Sequence, residues 1–219
     1  MKSRQEIKAI AKNAMKAQRS TSILTVLIVS LIIAAGSIFN YVPGGVFGAW
    51  MVLATVFFID FVLTVHSAGI FTKVFNGENT SANELFSNFK VNYLRKVGGM
   101  AWMTLFIYLW MMLLIVPGII KAISYSMTPY ILANNPNVTA RQALKLSMRM
   151  TNGHKMDLFV MGLSFIGWLI LSALTCGILY VAYVGPYMET TYAGYYVELR
   201  DKAIASGAIQ ESELTGRMQ

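Results

Sequence analysis

The sequence predicts an all-α protein, a polytopic transmembrane helical bundle of six spans arranged as three hairpins, each preceded by a cytoplasmic amphipathic helix. Three observations predict it. First, Lys and Arg nearly vanish from three blocks: Ser20–Thr72 (53 residues), Val97–Ala140 (44, interrupted only by Lys121) and Met156–Leu199 (44). A helix needs about 20 residues to cross about 30 Å of hydrocarbon, so each block is long enough to cross and return. Second, a turn signal stands near the middle of each block: Pro43-Gly44-Gly45, Pro117-Gly118 and Cys176-Gly177. Third, 17 of the 18 basic residues fall in the segments 1–21, 70–96, 141–155 and 200–219, and the turns hold none. Short Lys/Arg-rich segments stay cytoplasmic, so six spans with both termini inside satisfy the charge map, whereas four spans would strand a basic cluster outside.

Composition bounds the class. The chain is 56% hydrophobic and 13% charged, about half the charge of a soluble domain. The net charge of +8 is explained by the basic segments that bracket the hairpins, which argues for membrane topology and against a nucleic-acid partner. The one cysteine, Cys176, excludes an internal disulfide. The basic N-terminal region is too long for a signal peptide and is followed by more membrane, so the first span is read as uncleaved.

Along the chain, one unit recurs three times, giving a single integral-membrane domain of hairpin units about 1–72, 73–136 and 137–200, followed by a polar cytoplasmic tail, 201–219. Each unit opens on a capping box, in which a hydroxyl and a later carboxylate or amide satisfy each other's backbone N–H: Ser3-x-x-Glu6, Ser81-x-x-Glu84 and Thr139-x-x-Gln142. In the first helix Ile7, Ile10, Ala11, Ala14 and Met15 share one face, and Arg4, Lys8, Lys12 and Lys16 share another. The basic stripe is the candidate contact with an anionic inner leaflet; the apolar face either lies among the headgroups or packs under the bundle. The third helix repeats this with Ala143, Leu144, Ser147 and Met148 against Arg141, Lys145 and Arg149, and the middle one is expected over about Ala82–Lys96. The expected spans are 22–40, 46–69, 97–116, 118–134, 156–175 and 177–199, with Pro129 and Pro186 kinking the fourth and sixth.

Few polar groups enter these spans. Asp60, Thr64 and Ser67 form one stripe at i, i+4 and i+7, and Lys121 begins another with Ser124, Tyr125 and Thr128. Asp60 and Glu189 lie at similar depth, and their meeting would make a shared proton or cation site; otherwise each is separately buried and hydrogen-bonded. These five, Asp60, Glu189, Lys121, Thr64 and Ser67, are the candidate intramembrane polar site. No H-E-x-x-H, G-x-S-x-G or phosphate-cradling glycine loop occurs, so no catalytic residue, metal site or cofactor is assigned.

The stretch Leu109-Trp110-Met111-Met112-Leu113-Leu114-Ile115-Val116-Pro117-Gly118-Ile119-Ile120-Lys121-Ala122, continuing to Tyr125-Ser126, resembles the signature of a bacterial integral-membrane family, domain-of-unknown-function family 975. Ala143 to Ser147, Gly153-His154-Lys155 and Leu163 to Trp168 resemble its second block, and Pro186-Tyr187 with Thr191 its third. The resemblance implies a bacterial cytoplasmic-membrane protein and supplies no activity or ligand. The expected function is therefore non-enzymatic, a small transporter or channel-like component or a membrane scaffold, with a lipid-active enzyme using the intramembrane carboxylates as the alternative. Expected partners are membrane lipids of the anionic inner leaflet and a membrane protein or a second copy of the chain.

Overall fold

The computed structural model describes residues 2–38, 45–87 and 92–215, and of 36–38 and 45–57 it gives the helical backbone alone. Among the described residues there are helices and no strand. They are α1 (Arg4–Ala17), α2 (Arg19–Ile38), α3 (Gly45–Asn76), a 3-10 turn (Ala82–Leu85), α4 (Tyr93–Leu113), α5 (Ile115–Tyr125), α6 (Thr128–Asn134), α7 (Ala140–Met150), α8 (Lys155–Leu163), α9 (Ile166–Leu174), a π-helical segment (Tyr180–Val184), α10 (Gly185–Ala205) and α11 (Glu211–Thr215). The turn expected at Pro43-Gly44-Gly45 lies outside the described residues.

Helix starts follow the capping chemistry at two of the three expected places. Ser3 N–H donates to the Glu6 carboxylate at 2.7 Å and Glu6 N–H to Ser3 Oγ at 3.3 Å. Thr139 and Gln142 make the same reciprocal pair at 2.8 and 3.4 Å. The middle helix expected over Ala82–Lys96 is corrected to one 3-10 turn, with α4 starting only at Tyr93. One cause is visible: Asn92, at φ 54°, occupies the left-handed region that no α-helix can run through. Glu84 keeps its bond to the Ser81 backbone and also meets Lys73 Nζ at 2.8 Å.

Two of the prolines act as helix starts. Pro117 sits in the first turn of α5 after extended Leu114 and Pro129 in the first turn of α6; there the missing N–H breaks no ladder bond. Pro186 follows directly on the π-helical segment, in a helix that continues without a gap from Ile178 into α10. At the third turn, Cys176 and Gly177 both have positive φ, 50° and 82°, which reverses the chain. A break at Ser164 and Phe165, between α8 and α9, carries no such sequence signal.

Four stretches are long and apolar enough to cross a membrane: Phe58–Asn76, Tyr93–Leu113, Ile115–Asn134 and Lys155–Leu174. A fifth appears if α1 and α2, bent by 93°, are taken together. The stretch expected as the last span, 177–199, becomes the π segment and most of α10, which runs through the core with Tyr195 and Tyr196 fully buried. Helices α1, α2, α3 and α7 pack around it. The apolar face of α1 (Ile7, Ala11, Met15) is buried in this protein core, as are Ala143, Leu146 and Met150 of α7. The tail is polar by composition yet docks through Thr215. Ile209 and Leu214 are buried, Glu213 meets Arg149 at 2.6 Å, and Asn137 Nδ2 donates to Thr215 O at 3.1 Å.

Away from this core, the α4–α5 junction and the end of α9 expose apolar side chains. Tyr108, Met112, Leu113 and Ile115 at the one, and Ile170, Leu174 and Ile178 at the other, are 60–76% exposed. Segments 97–120 and 158–188 contain no Lys, Arg, Asp or Glu. A surface of that kind is unstable in water and stable in hydrocarbon.

Candidate functional site

Glu189 stands one turn after Pro186 on α10. Its carboxylate accepts from Tyr130 Oη of α6 at 3.3 Å, and the phenols of Tyr180 and Tyr192 lie within its field. Tyr130 is fixed in turn: its ring stacks on Tyr196 at 5.7 Å, and its carbonyl accepts from Asn134 Nδ2 at 2.8 Å. The Asn134 amide also donates to Thr72 Oγ1 at 3.3 Å, and Asn135 Nδ2 donates to Tyr196 Oη at 3.2 Å. One polar network thus ties α3, α6 and α10 together around a single acid. Tyr130, 59 residues away in sequence, was not legible as its partner.

Asp60 lies half-buried on α3. No hydrogen bond joins it to Glu189, Thr64 or Ser67 among the described residues; Ser67 Oγ donates instead to Thr64 O at 3.0 Å. The Lys121 ammonium lies 5.3 Å from the centre of the Trp110 ring and 5.9 Å from that of Tyr125, clamping α4 to α5. Its neighbour Ser124 gives its carbonyl to Ser147 Oγ at 2.8 Å, which docks α7. The five intramembrane candidates therefore do not form one constellation: Glu189 has a built surround, and the others are dispersed.

In the basic stripe, Arg4, Lys12 and Lys16 are exposed. Lys8 turns inward, with its ammonium hydrogen-bonded to Ser164 Oγ and 4.3 Å from the centre of the Phe165 ring. It holds α1 against the α8/α9 break.

Two cavities flank α4. One, about 290 Å³, is walled by Trp102, Phe106, Tyr125 and Leu144 and rimmed by Arg141 and Lys145; the Arg141 guanidinium is 5.6 Å from the Trp102 ring centre. An apolar wall under a cationic rim suits an acyl chain below a headgroup. The other, about 190 Å³, is lined by His66, Lys73, Glu84, Ser87, Lys96 and Asn134. Burial pushes the Glu84 carboxyl up, but Lys73, with the Thr80 hydroxyl and the Ser81 backbone, holds it below its ordinary value. Lys96 is 8% exposed and its Nζ lies 2.6 Å from His66 Nε2. Beside it, Arg95 caps the end of α6 by donating to the carbonyls of Leu132, Asn135 and Val138 at 2.7–2.9 Å. The sequence showed Arg95 and Lys96 as topology-setting charges alone; two consecutive cations at a helix start, within reach of an intramembrane histidine, were the signal available.

The family described as Protein of unknown function (DUF975) matches residues 97–203, from the start of α4's apolar run to the end of α10. No curated protein and no solved structure matches the chain.

Proposed function

We propose that this chain, whose residues 97–203 belong to that family of unknown function, is a non-enzymatic multi-pass scaffold of a bacterial cytoplasmic membrane, crossing six times with both termini inside and gathering anionic lipid around a cationic collar. The observation that carries the reading is the separation of surfaces. Uncharged, exposed apolar side chains occupy the α4–α5 junction and the end of α9, while Arg4, Lys12, Lys16, Arg141 and Lys145 are exposed on the two amphipathic helices. Each cation near an anionic leaflet contributes on the order of 1 kcal/mol to its attraction. The groove of Trp102 and Arg141 supports the same reading, since it pairs an acyl-sized apolar wall with a headgroup-seeking rim. A lipid-active enzyme is the second reading; Glu189, bonded to a phenol, gives it less support than the exposed surfaces give the scaffold.

Cys176 supplies a native topology reporter. It is exposed in the turn between α9 and the π segment, so an impermeant thiol reagent should label it in intact cells. In a Cys176→Ser background, Asn152→Cys, just after α7, should label only after the membrane is opened. Labelling of the Asn152 position in intact cells would end the six-span reading.

A further inference from the structure

The smaller cavity beside α4 holds a charge imbalance that the scaffold reading does not use. Lys96 is buried, and no carboxylate pairs with it among the described residues. Its neighbour Arg95 gives Nη1 and Nη2 to three carbonyls, which leaves its Nε–H without a partner among the described residues and its charge uncompensated. Glu84, the one acid among the residues lining the cavity, is taken by Lys73 at 2.8 Å.

The histidine contact fixes what Lys96 can do. His66 Nδ1 meets the carbonyl of Leu85. A carbonyl only accepts, so Nδ1 carries the ring proton and Nε2 presents a lone pair to Lys96. The ammonium therefore gives one N–H to the ring and has no other hydrogen-bond partner among the described residues. A buried cation with spare donors and no counter-charge, on the wall of an open cavity, is a site for an anion. The volume of about 190 Å³ is that of about six liquid waters, ample for a group of five heavy atoms.

We propose that the cavity between α3, the Ala82–Leu85 turn and α4 binds a phosphate group, held by the Lys96 ammonium from below and by Lys73 at the mouth. Lys73 keeps one N–H on Glu84 and turns another to the incoming anion, so that its charge offsets that acid at the site. The group is the headgroup phosphate of an inner-leaflet lipid or a free phosphate; both present the same oxygens to the same two lysines. The inference goes beyond the scaffold reading, because it depends on this cavity and not on the number of spans.

The test uses full-length protein in maltoside micelles, which contain no phosphate. Thermal unfolding is followed as inorganic phosphate, short-chain phosphatidic acid or short-chain diacylglycerol is added, since a ligand that binds the native state alone raises the midpoint. Phosphatidic acid should stabilise the protein and diacylglycerol should not. Stabilisation by inorganic phosphate as well assigns the site to the free ion's chemistry, and stabilisation by phosphatidic acid alone assigns it to a lipid headgroup. Lys96→Gln keeps a donor for His66 and removes the charge, and it should weaken the apparent affinity at least tenfold. Lys202→Met, an exposed cation at the end of α10 that lines neither cavity, should leave it within twofold. The proposal is overturned if neither phosphate compound shifts the midpoint, or if Lys96→Gln binds as well as the parent. Should Lys96→Gln fail to fold, Lys73→Gln takes its place under the same criterion. The topology labelling is indifferent to every one of these results.

Discussion

Gly194→Ala probes the tightest crossing in the core. A Cβ on Gly194 would lie 2.3, 2.7 and 2.8 Å from three ring atoms of Phe75, where α10 meets α3. Phe75 is 9% exposed, so its ring edge must move by more than 1 Å among packed neighbours to reach an ordinary contact of about 3.5 Å. Overpacking of this kind costs about 1–3 kcal/mol, and the displacement places this site near the top of that range. Alanine's better helix propensity returns about 1 kcal/mol. The net loss is about 2 kcal/mol, and for a chain of this size the unfolding midpoint should fall by about 4–8 °C. Gly98→Ala is the internal control: no atom lies within 4 Å of its Cβ position, so the propensity gain should stand alone and the midpoint should rise by a few degrees. Tryptophan fluorescence during heating of the purified protein measures both. Phe75→Leu, destabilising by itself, should cost less in the Gly194→Ala background, giving a coupling of about 1 kcal/mol. A Gly194→Ala midpoint at or above that of the parent, or zero coupling with Phe75→Leu, would refute the packing argument.

Two further outcomes follow from the polar contacts. Arg149 beside Glu213 holds that carboxyl below its ordinary value. A depressed folded-state pKa adds stability above the unfolded value and loses it as pH falls through the folded one; the protection of amides 209–215, after correction for base-catalysed intrinsic exchange, should therefore be high at neutral pH and fall in acid, and Glu213→Gln should flatten that dependence. No hydrogen bond joins Asp60 to Glu189 among the described residues, and Glu189 is bonded to Tyr130, so the stability effects of Asp60→Asn and Glu189→Gln should add to within about 0.5 kcal/mol; a larger coupling measured by thermal unfolding would restore a shared acid site.

What was legible in the sequence was whatever is set locally. The capping boxes at Ser3 and Thr139 close because both partners lie three residues apart, and the reversal at Cys176-Gly177 needs only two residues of positive φ. The box at Ser81 forms only in part: Glu84 holds the Ser81 backbone, but the Ser81 hydroxyl accepts from Asn83 N–H, in a 3-10 turn that the S-x-x-E pattern does not announce. The break at Ser164 and Phe165 was invisible for a nonlocal reason: Lys8, 156 residues away, bonds to Ser164 there. Site residues follow the same rule. An acid inside a span could be flagged from hydropathy, but the phenol that holds Glu189 and the histidine that receives Lys96 come from other helices. Periodicity told that α1 has an apolar face without telling whether lipid or protein covers it.

The pairing of α1 with α10 joins two helices far apart along the chain. Lys2 and Glu198, 2.7 Å apart, are separated by 196 positions, and Ile7 and Ala11 are buried in a core that includes Tyr195, Tyr196 and Leu199. During synthesis, then, α1 leaves the ribosome with its greasy stripe complete and its seat unbuilt, and it stays so until α10 has followed. Contacts this distant close late and slowly, and a stripe left waiting for its seat invites aggregation. A chain cut short before α10 leaves that stripe with nothing to dock on.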